Sequence, residues 1–397
     1  MKELIRSGIW LLLASALAAN AQTILSEDEA VRLALGRSPL LNASTLEVQR
    51  QRQLQGTSFN LANPDITLES PTGEFMTVGV LQSFEFPTVY VRQGQLAKQQ
   101  TVLAEKGQVM VEADVKKRVR EAYLNLQYAQ ALMDQLQRQD SVYQDIAMAA
   151  ERLFAAGQID KVAQTYTSAQ YGTVHQRWLR AKTDAALAQL QLQRYTGKTE
   201  ALLTTPLGKG SVAAVEAALS TDSSILAATP LINYMRQQET VAQKTLQVER
   251  NRALPGFSFG YMNQGLAGTP APLRLRGGIN IPLWFWQYSA SIKAAKTQVE
   301  QTAQDNLARQ QELGAQMEQA KAELLNAQMS LDYYESSGLQ QADELISASA
   351  RMFAAGETDH LTYLRTLSDA YTIRMDHLET LRSMNLASIT LTYLNGK

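Results

Sequence analysis

The chain has no cysteine among its 397 residues, so it can form neither disulfides nor thiolate metal sites. Histidine is almost as scarce. His175 and His377 lie in helical stretches with no carboxylate or second His at metal-ligand spacing, and no metal site is assigned to them. The formal net charge is −1, which removes any electrostatic reason to expect a nucleic-acid partner. Catalytic signatures are missing too. There is no Gly-x-Ser-x-Gly, no His-Glu-x-x-His and no dinucleotide glycine turn, and Gly197-Lys198-Thr199 lacks the upstream Gly of a phosphate loop. No catalytic residue, no cofactor and no metal are expected. After the first 20 or so residues no apolar run is long enough for a spanning helix, so membrane insertion would have to use strands.

The N-terminus carries an export signal. Lys2 and Arg6 precede an apolar run from Ile9 to Ala19, followed by the small-x-small pattern Ala19-Asn20-Ala21. Residues 1–21 read as a signal peptide cleaved before Gln22. With no cysteine after it, an acyl-anchored mature N-terminus is not expected.

The rest of the chain is a tandem duplication. Arg152-Leu153-Phe154-Ala155-Ala156-Gly157-Gln158-Ile159-Asp160 returns as Arg351-Met352-Phe353-Ala354-Ala355-Gly356-Glu357-Thr358-Asp359, displaced by 199 residues. Each copy interrupts a long helical pattern with Ala-Ala-Gly and then an Asp able to cap the next helix, which predicts the tips of two helical hairpins. The helix before the first tip carries a strict heptad of Val115, Val119, Ala122, Leu126, Ala129, Met133 and Leu136. It returns at a displacement of 198 as Leu313, Met317, Ala320, Leu324, Ala327, Leu331 and Tyr334. Ser38-Pro39-Leu40-Leu41-Asn42 matches Thr229-Pro230-Leu231-Ile232-Asn233 at 191, and Gly197-Lys198 returns as Gly396-Lys397. Near the start, Ser26 and Glu29 form a capping box for a helix with Ala30, Leu33 and Ala34 on its apolar side. A second helix is expected from about Leu41 to Phe59. A third, from about Thr88 to Ala155, would be on the order of 100 Å long.

Between the helices the period drops from 3.6 to 2. In the first repeat Val78, Val80, Phe84 and Phe86 alternate with Thr77, Gly79, Ser83 and Glu85. Leu81 and Gln82 break the pattern. A shorter arm, Ile66 and Leu68, lies across the turn cluster Pro71-Thr72-Gly73-Glu74. The second repeat supplies Phe257, Phe259 and Tyr261, then Leu273, Leu275, Ile279 and Ile281 against Arg274, Arg276 and Asn280. This apolar-out, polar-in alternation predicts four membrane strands, with Arg274 and Arg276 as possible pore lining. Trp284, Phe285, Trp286 and Tyr288 suit the headgroup level. Four strands cannot close a barrel in lipid. Two chains would give about eight strands, and three about twelve with room for a lumen. Polar faces on the long helices favour three, with a helical tunnel continuing a lipid-embedded barrel. The rival reading is a soluble exported coiled-coil structural protein.

The stretch Leu25-Ser26-Glu27-Asp28-Glu29-Ala30-Val31-Arg32-Leu33-Ala34-Leu35, the following Ser38-Pro39, the two Phe-Ala-Ala-Gly tips and the helix ends at Leu190 to Gly197 and Leu391 to Gly396 together resemble the TolC family of outer-membrane efflux proteins. The resemblance covers nearly all of the mature chain. It implies a mainly α protein with membrane β structure, in which long α-helical hairpins form a periplasmic α-barrel. Four strands per chain would enter a trimeric outer-membrane β-barrel of about 12 strands. It further implies a homotrimer in the outer membrane of a Gram-negative bacterium, with a large periplasmic part. That trimer would act as a passive water-filled conduit docked to a periplasmic adaptor protein and an inner-membrane efflux pump. A narrower variant is a heavy-metal efflux channel. The docking tips would be Gly157, Gly356, Phe154 and Phe353. Where the family closes its tip with acids after the tip glycine, this chain has Thr362 and Arg365, so Asp160, Asp359 and Asp369 are the gate candidates. The Asp359-His360 pair beside the tip could bind a cation or respond to pH, and more often such a pair is a helix cap beside an exposed imidazole. No C-terminal extension of the kind many members carry is expected after the last helix. The resulting organisation is a first repeat over 22–198 (hairpin about 64–87, tip about 152–160), a linker over 199–224 and a second repeat over 225–397 (hairpin about 255–282, tip about 351–359).

Overall fold

A computed structural model describes residues 24–70, 77–210, 229–263 and 274–396. The signal peptide, the Pro71-Thr72-Gly73-Glu74 turn, Leu273, the later part of the linker and Lys397 lie outside these residues. The elements in chain order are β1 (Ile24–Leu25), α1 (Glu27–Arg37), α2 (Pro39–Gln55), β2 (Asp65–Glu69), β3 (Thr77–Phe84), α3 (Pro87–Ala155), α4 (Lys161–Thr196) and β4 (Leu203–Thr204). The second repeat follows with α5 (Pro230–Arg252), β5 (Gly256–Met262), β6 (Leu275–Asn280), α6 (Phe285–Tyr333), a π-helical turn (Tyr334–Gly338), α7 (Leu339–Ala354) and α8 (His360–Leu394). No described helix is long and apolar enough to cross a membrane.

The chain divides into two compact units, and each draws on both repeats. One consists of Met1–Ser38, Asp114–Thr221 and Met317–Tyr393, the other of Pro39–Ala113, Asp222–Gln316 and Leu394–Lys397. Among its described residues the first holds long helices and the parallel pair β1 and β4. Ser26 caps α1 by accepting from the Glu29 amide, as the capping box requires. Val31, not Leu33, joins Ala30 and Ala34 in its buried stripe. Residues 203 and 204, expected to be plain linker, pair with β1 instead. The Tyr123 hydroxyl secures that junction by donating to Leu25 O at 2.7 Å and accepting from Thr205 N at 3.1 Å.

The heptads bury as their spacing dictates. Val115, Val119, Ala122, Leu126, Ala129 and Leu136 are buried, as are Leu313, Met317, Ala320, Leu324, Ala327 and Leu331. Each fully buried large side chain in such a seam stabilises by about 1.5–3 kcal/mol. Met133 and Tyr334, the exceptions, are half-buried. A core near the helical tips joins Tyr143 and Ile146 of α3, Val174 of α4 and Tyr363, Leu364, Leu367 and Tyr371 of α8.

The second repeat does not reach its tip as one unbroken helix, because the π turn interrupts it. The heptads are displaced by 198 residues and the tips by 199, so one extra residue must enter between Tyr334 and Arg351. A π turn is how a helix absorbs one residue without breaking. Beyond it Ala342, Ile346, Ser349 and Phe353 fall into the places of Tyr143, Ala147, Ala150 and Phe154, now 199 residues apart.

In the other unit α2 runs from Pro39 and stops at Gln55, earlier than its Gln-rich pattern suggested. Polar bonds tie its helical segments together. Gln237 donates to Gln99 O at 3.1 Å, Asn306 to Met235 O at 3.1 Å, and Arg52 pairs with Glu105 at 2.7 Å. β3 ends at Phe84, two residues short of the alternating pattern, and Pro87 opens α3 where its missing N–H is harmless.

Candidate functional site

The sheet and the helical tips carry the features that bear on function. The sheet has strand order β2-β3-β5-β6, antiparallel throughout. Its register aligns Ile66 with Val80, Val80 with Tyr261, and Tyr261 with Leu275. Directly paired residues share a face. One face therefore collects Ile66, Leu68, Val78, Val80, Phe257, Phe259, Tyr261, Leu275 and Ile279. The other collects Thr67, Thr77, Gly79, Ser258, Gly260, Arg276 and Asn280, with Leu81 and Met262 as its apolar members. In a water-soluble sheet the apolar face would be the covered one. Here the apolar face is bare: Ile66, Phe259 and Leu275 are 67, 66 and 67 % exposed, and on the polar face Thr77 and Ser258 are buried in the middle strands while Thr67, Arg276 and Asn280 are exposed.

Gln82, the polar intruder on the apolar face, sits at the base of β3 and donates to Ala62 O at 2.6 Å. Arg276 lies opposite Gly260 on the polar face. Arg274, just before β6, donates from its guanidinium to Asn263 Oδ1. The outer edges of β2 and β6 have no partner strand among the described residues. Beyond β6, Trp284, Phe285 and Trp286 form an exposed cluster, with ring centroids 5.0 Å apart for Trp284–Trp286 and 5.8 Å for Phe285–Trp286. Tyr288 is half-buried and, with Phe86, Tyr90 and Arg252, lines a cleft of about 1140 Å³.

The two tips share a backbone bond for bond. Gly157 and Gly356 have φ of 69° and 72°, the left-handed region that favours glycine. Gln158 N donates to Leu153 O at 2.9 Å, and Glu357 N to Met352 O at 2.9 Å. Asp160 caps α4 by accepting from Ala163 N at 2.7 Å. Asp359 caps α8 by accepting from Leu361 N at 2.9 Å, from Thr362 N at 3.0 Å and from the Thr362 hydroxyl. These bonds, the Thr362 hydroxyl first, hold the Asp359 carboxyl below its ordinary range. Asp369 is exposed on α8 and Arg365 is exposed nearby, so of the three acids only Asp369 is not capping a helix.

Side chains at the tips differ. Phe154 is 40 % exposed, with the Lys161 ammonium 5.1 Å from its ring centroid. Phe353 is half-buried, stacked on Tyr363 at 4.8 Å and edge-on to His360 at 5.4 Å. His360 is not the exposed imidazole its position suggested: it is 6 % exposed, and its Nε2 lies 2.6 Å from the Thr167 hydroxyl. Nor is His175 without a carboxylate, since its Nδ1 is 3.1 Å from Asp140 across the α3–α4 pair. His377 packs edge-on against Tyr334 of the π turn, and burial lowers its pKa. Contacts between helices far apart in sequence leave no local spacing, which hid all three. The π turn did leave a signal, the step from 198 to 199. No cluster of His, Asp and Glu able to hold a metal occurs among the described residues.

Residues 221–397 match the model of the outer membrane efflux protein family. That match covers the second repeat, a little under half of the chain. Among solved structures, the outer-membrane channel CmeC of Campylobacter jejuni superposes with TM-score 0.75 at 15 % identity, over 93 % of this chain and 85 % of that one. VceC, an outer membrane protein of Vibrio cholerae, gives 0.75 at 13 %, over 93 % and 96 %. CusC, described for its conformational changes during folding and transmembrane channel formation, gives 0.73 at 17 %, over 94 % and 92 %. A sequence search of curated proteins found no match. Like these structures, this chain is mainly helical with long helices and a few strands, and the family matched by its second repeat is one of outer membrane efflux proteins.

Proposed function

We propose that three copies of this chain close one outer-membrane barrel of about 12 strands and act as a passive conduit. The observation that carries the reading is the sheet itself, whose apolar face is bare and whose two outer edges have no partner strand among the described residues. In lipid, the bare face is solvated by acyl chains and each open edge requires a neighbouring strand, because an unpaired backbone group there costs several kcal/mol. The β6 edge of one copy meeting the β2 edge of the next satisfies both. Arg276 and Arg274 then line the lumen, and Trp284, Phe285, Trp286 and Tyr288 mark the membrane interface.

The helical hairpins continue the path into the periplasm. Their tips, with Gly157 and Gly356 at the turns and Phe154 and Phe353 beside them, dock a periplasmic adaptor that connects to an inner-membrane pump. Because Asp160 and Asp359 are engaged as helix caps, Asp369 is the acid available to a closing ring at the tip. The test is the mass of the purified protein in detergent together with its conductance in planar bilayers. Three chains and ohmic single channels are the expected result. A monomer that stays soluble without detergent would overturn the reading.

A further inference from the structure

The buried imidazole of His360 is a titratable side chain that joins the two helical hairpins at their tips. It heads α8 of the second repeat, and its Nε2 meets Thr167 of α4, in the first repeat, at 2.6 Å. Thr167 is fully buried, and its hydroxyl proton is already committed to Ala163 O at 2.8 Å. The Thr167 oxygen is therefore left as an acceptor and Nε2 is the donor, which fixes the neutral tautomer with Nδ1 bare. That Nδ1 is buried and has no hydrogen-bond partner among the described residues. Phe353 of α7 stands edge-on to the ring.

We propose that His360 is a proton-operated latch: its neutral form ties the second tip to α4, and protonation at Nδ1 releases the tie. A second proton would place a charge against Phe353, with no acceptor in reach. The groups acting on the ring are Thr167 from α4, Phe353 from α7, and Asp359 at the cap of its own helix. Of these only Asp359 is charged, and its carboxylate is occupied by Leu361 and Thr362.

Burial lowers the His360 pKa, and the Asp359 charge opposes that shift less strongly. The sign follows. A base whose pKa is depressed in the latched state binds its proton better once released, so latching is complete above the free value of 6.5 and weakens as pH falls below it. The first tip has no counterpart, because Lys161, 199 residues earlier, is exposed and bonded to Gln164.

The absence of cysteine allows a clean test. Spin labels on cysteines placed at Gln158 and Glu357, both exposed, report the distance between the tips. Labelled chains would be diluted into unlabelled ones in lipid nanodiscs, so that only intrachain distances register. Between about pH 8 and about pH 5 the distribution should shift to longer distances. His360→Gln, which can still donate to Thr167 but cannot be protonated, should hold the pH 8 distribution throughout. Thr167→Val should show the longer distances at both pH values. A pH-independent distance in the parent chain, or a His360→Gln chain that shifts with it, would overturn the latch.

Discussion

The two tips are copies of one turn with different interiors. Their glycines, their amide-to-carbonyl bonds and their capping aspartates correspond at 199 residues. Around the first, Phe154 and Lys161 face water; around the second, Phe353, Tyr363 and His360 pack on one another and on Thr167. Duplication has kept the backbone solution to reversing a helix and let the side chains diverge. One tip is free at its surface and the other is tied into the core. The structure thus separates what a helical hairpin needs in order to turn from what holds a particular hairpin in place.

The widest difference should come from the aromatic pair. Phe353→Ala removes a stacked, half-buried ring and should cost about 2–3 kcal/mol, whereas Phe154→Ala should cost under about 1 kcal/mol, read as shifts in denaturant midpoint. Equal losses would break the contrast. The glycines test the shared part. Gly157→Ala and Gly356→Ala have open space for a methyl group, so each should cost only the left-handed strain of about 1–2 kcal/mol, and by equal amounts. Gly197→Ala should cost more than either, because making room for its Cβ displaces the Arg37 guanidinium, which caps that helix end by donating to Gly197 O.

A smaller effect concerns acid. Asp359 has a depressed pKa, so its capping is present above the ordinary 3.8 and is lost as pH falls through the lowered value. Amide exchange in the first turn of α8 should rise in that window, and Asp359→Asn should flatten the response. The smallest effect is at Lys161. Removing its ammonium from an exposed ring should change stability by no more than about 0.5 kcal/mol.

The sheet, the long helices and both tips were legible because each follows a local period or a local turn chemistry. Alternation at Val78 and Val80 fixed the faces of β3, and the Ala-Ala-Gly and Asp signals located each tip to within a residue. What was hidden depends on partners far along the chain. Nothing near His360 announces Thr167, and nothing near His175 announces Asp140. β4 is too short to have a period at all. Gly56 and the following Thr57 and Ser58 ended α2 in a turn, where a run of Gln and Arg suggested more helix. The π turn lies between these cases, invisible in composition yet required by the change of one residue in displacement.

The account depends most on the two faces of the sheet meeting different solvents. Single cysteines placed in turn from Leu275 to Asn280, spin-labelled in lipid, report this through their accessibility to oxygen and to a water-soluble relaxation agent. Positions 275, 277 and 279 should favour oxygen, and positions 276, 278 and 280 the aqueous agent, in strict alternation. If all six are equally open to the aqueous agent, β6 does not border lipid and the sheet is not part of a membrane barrel.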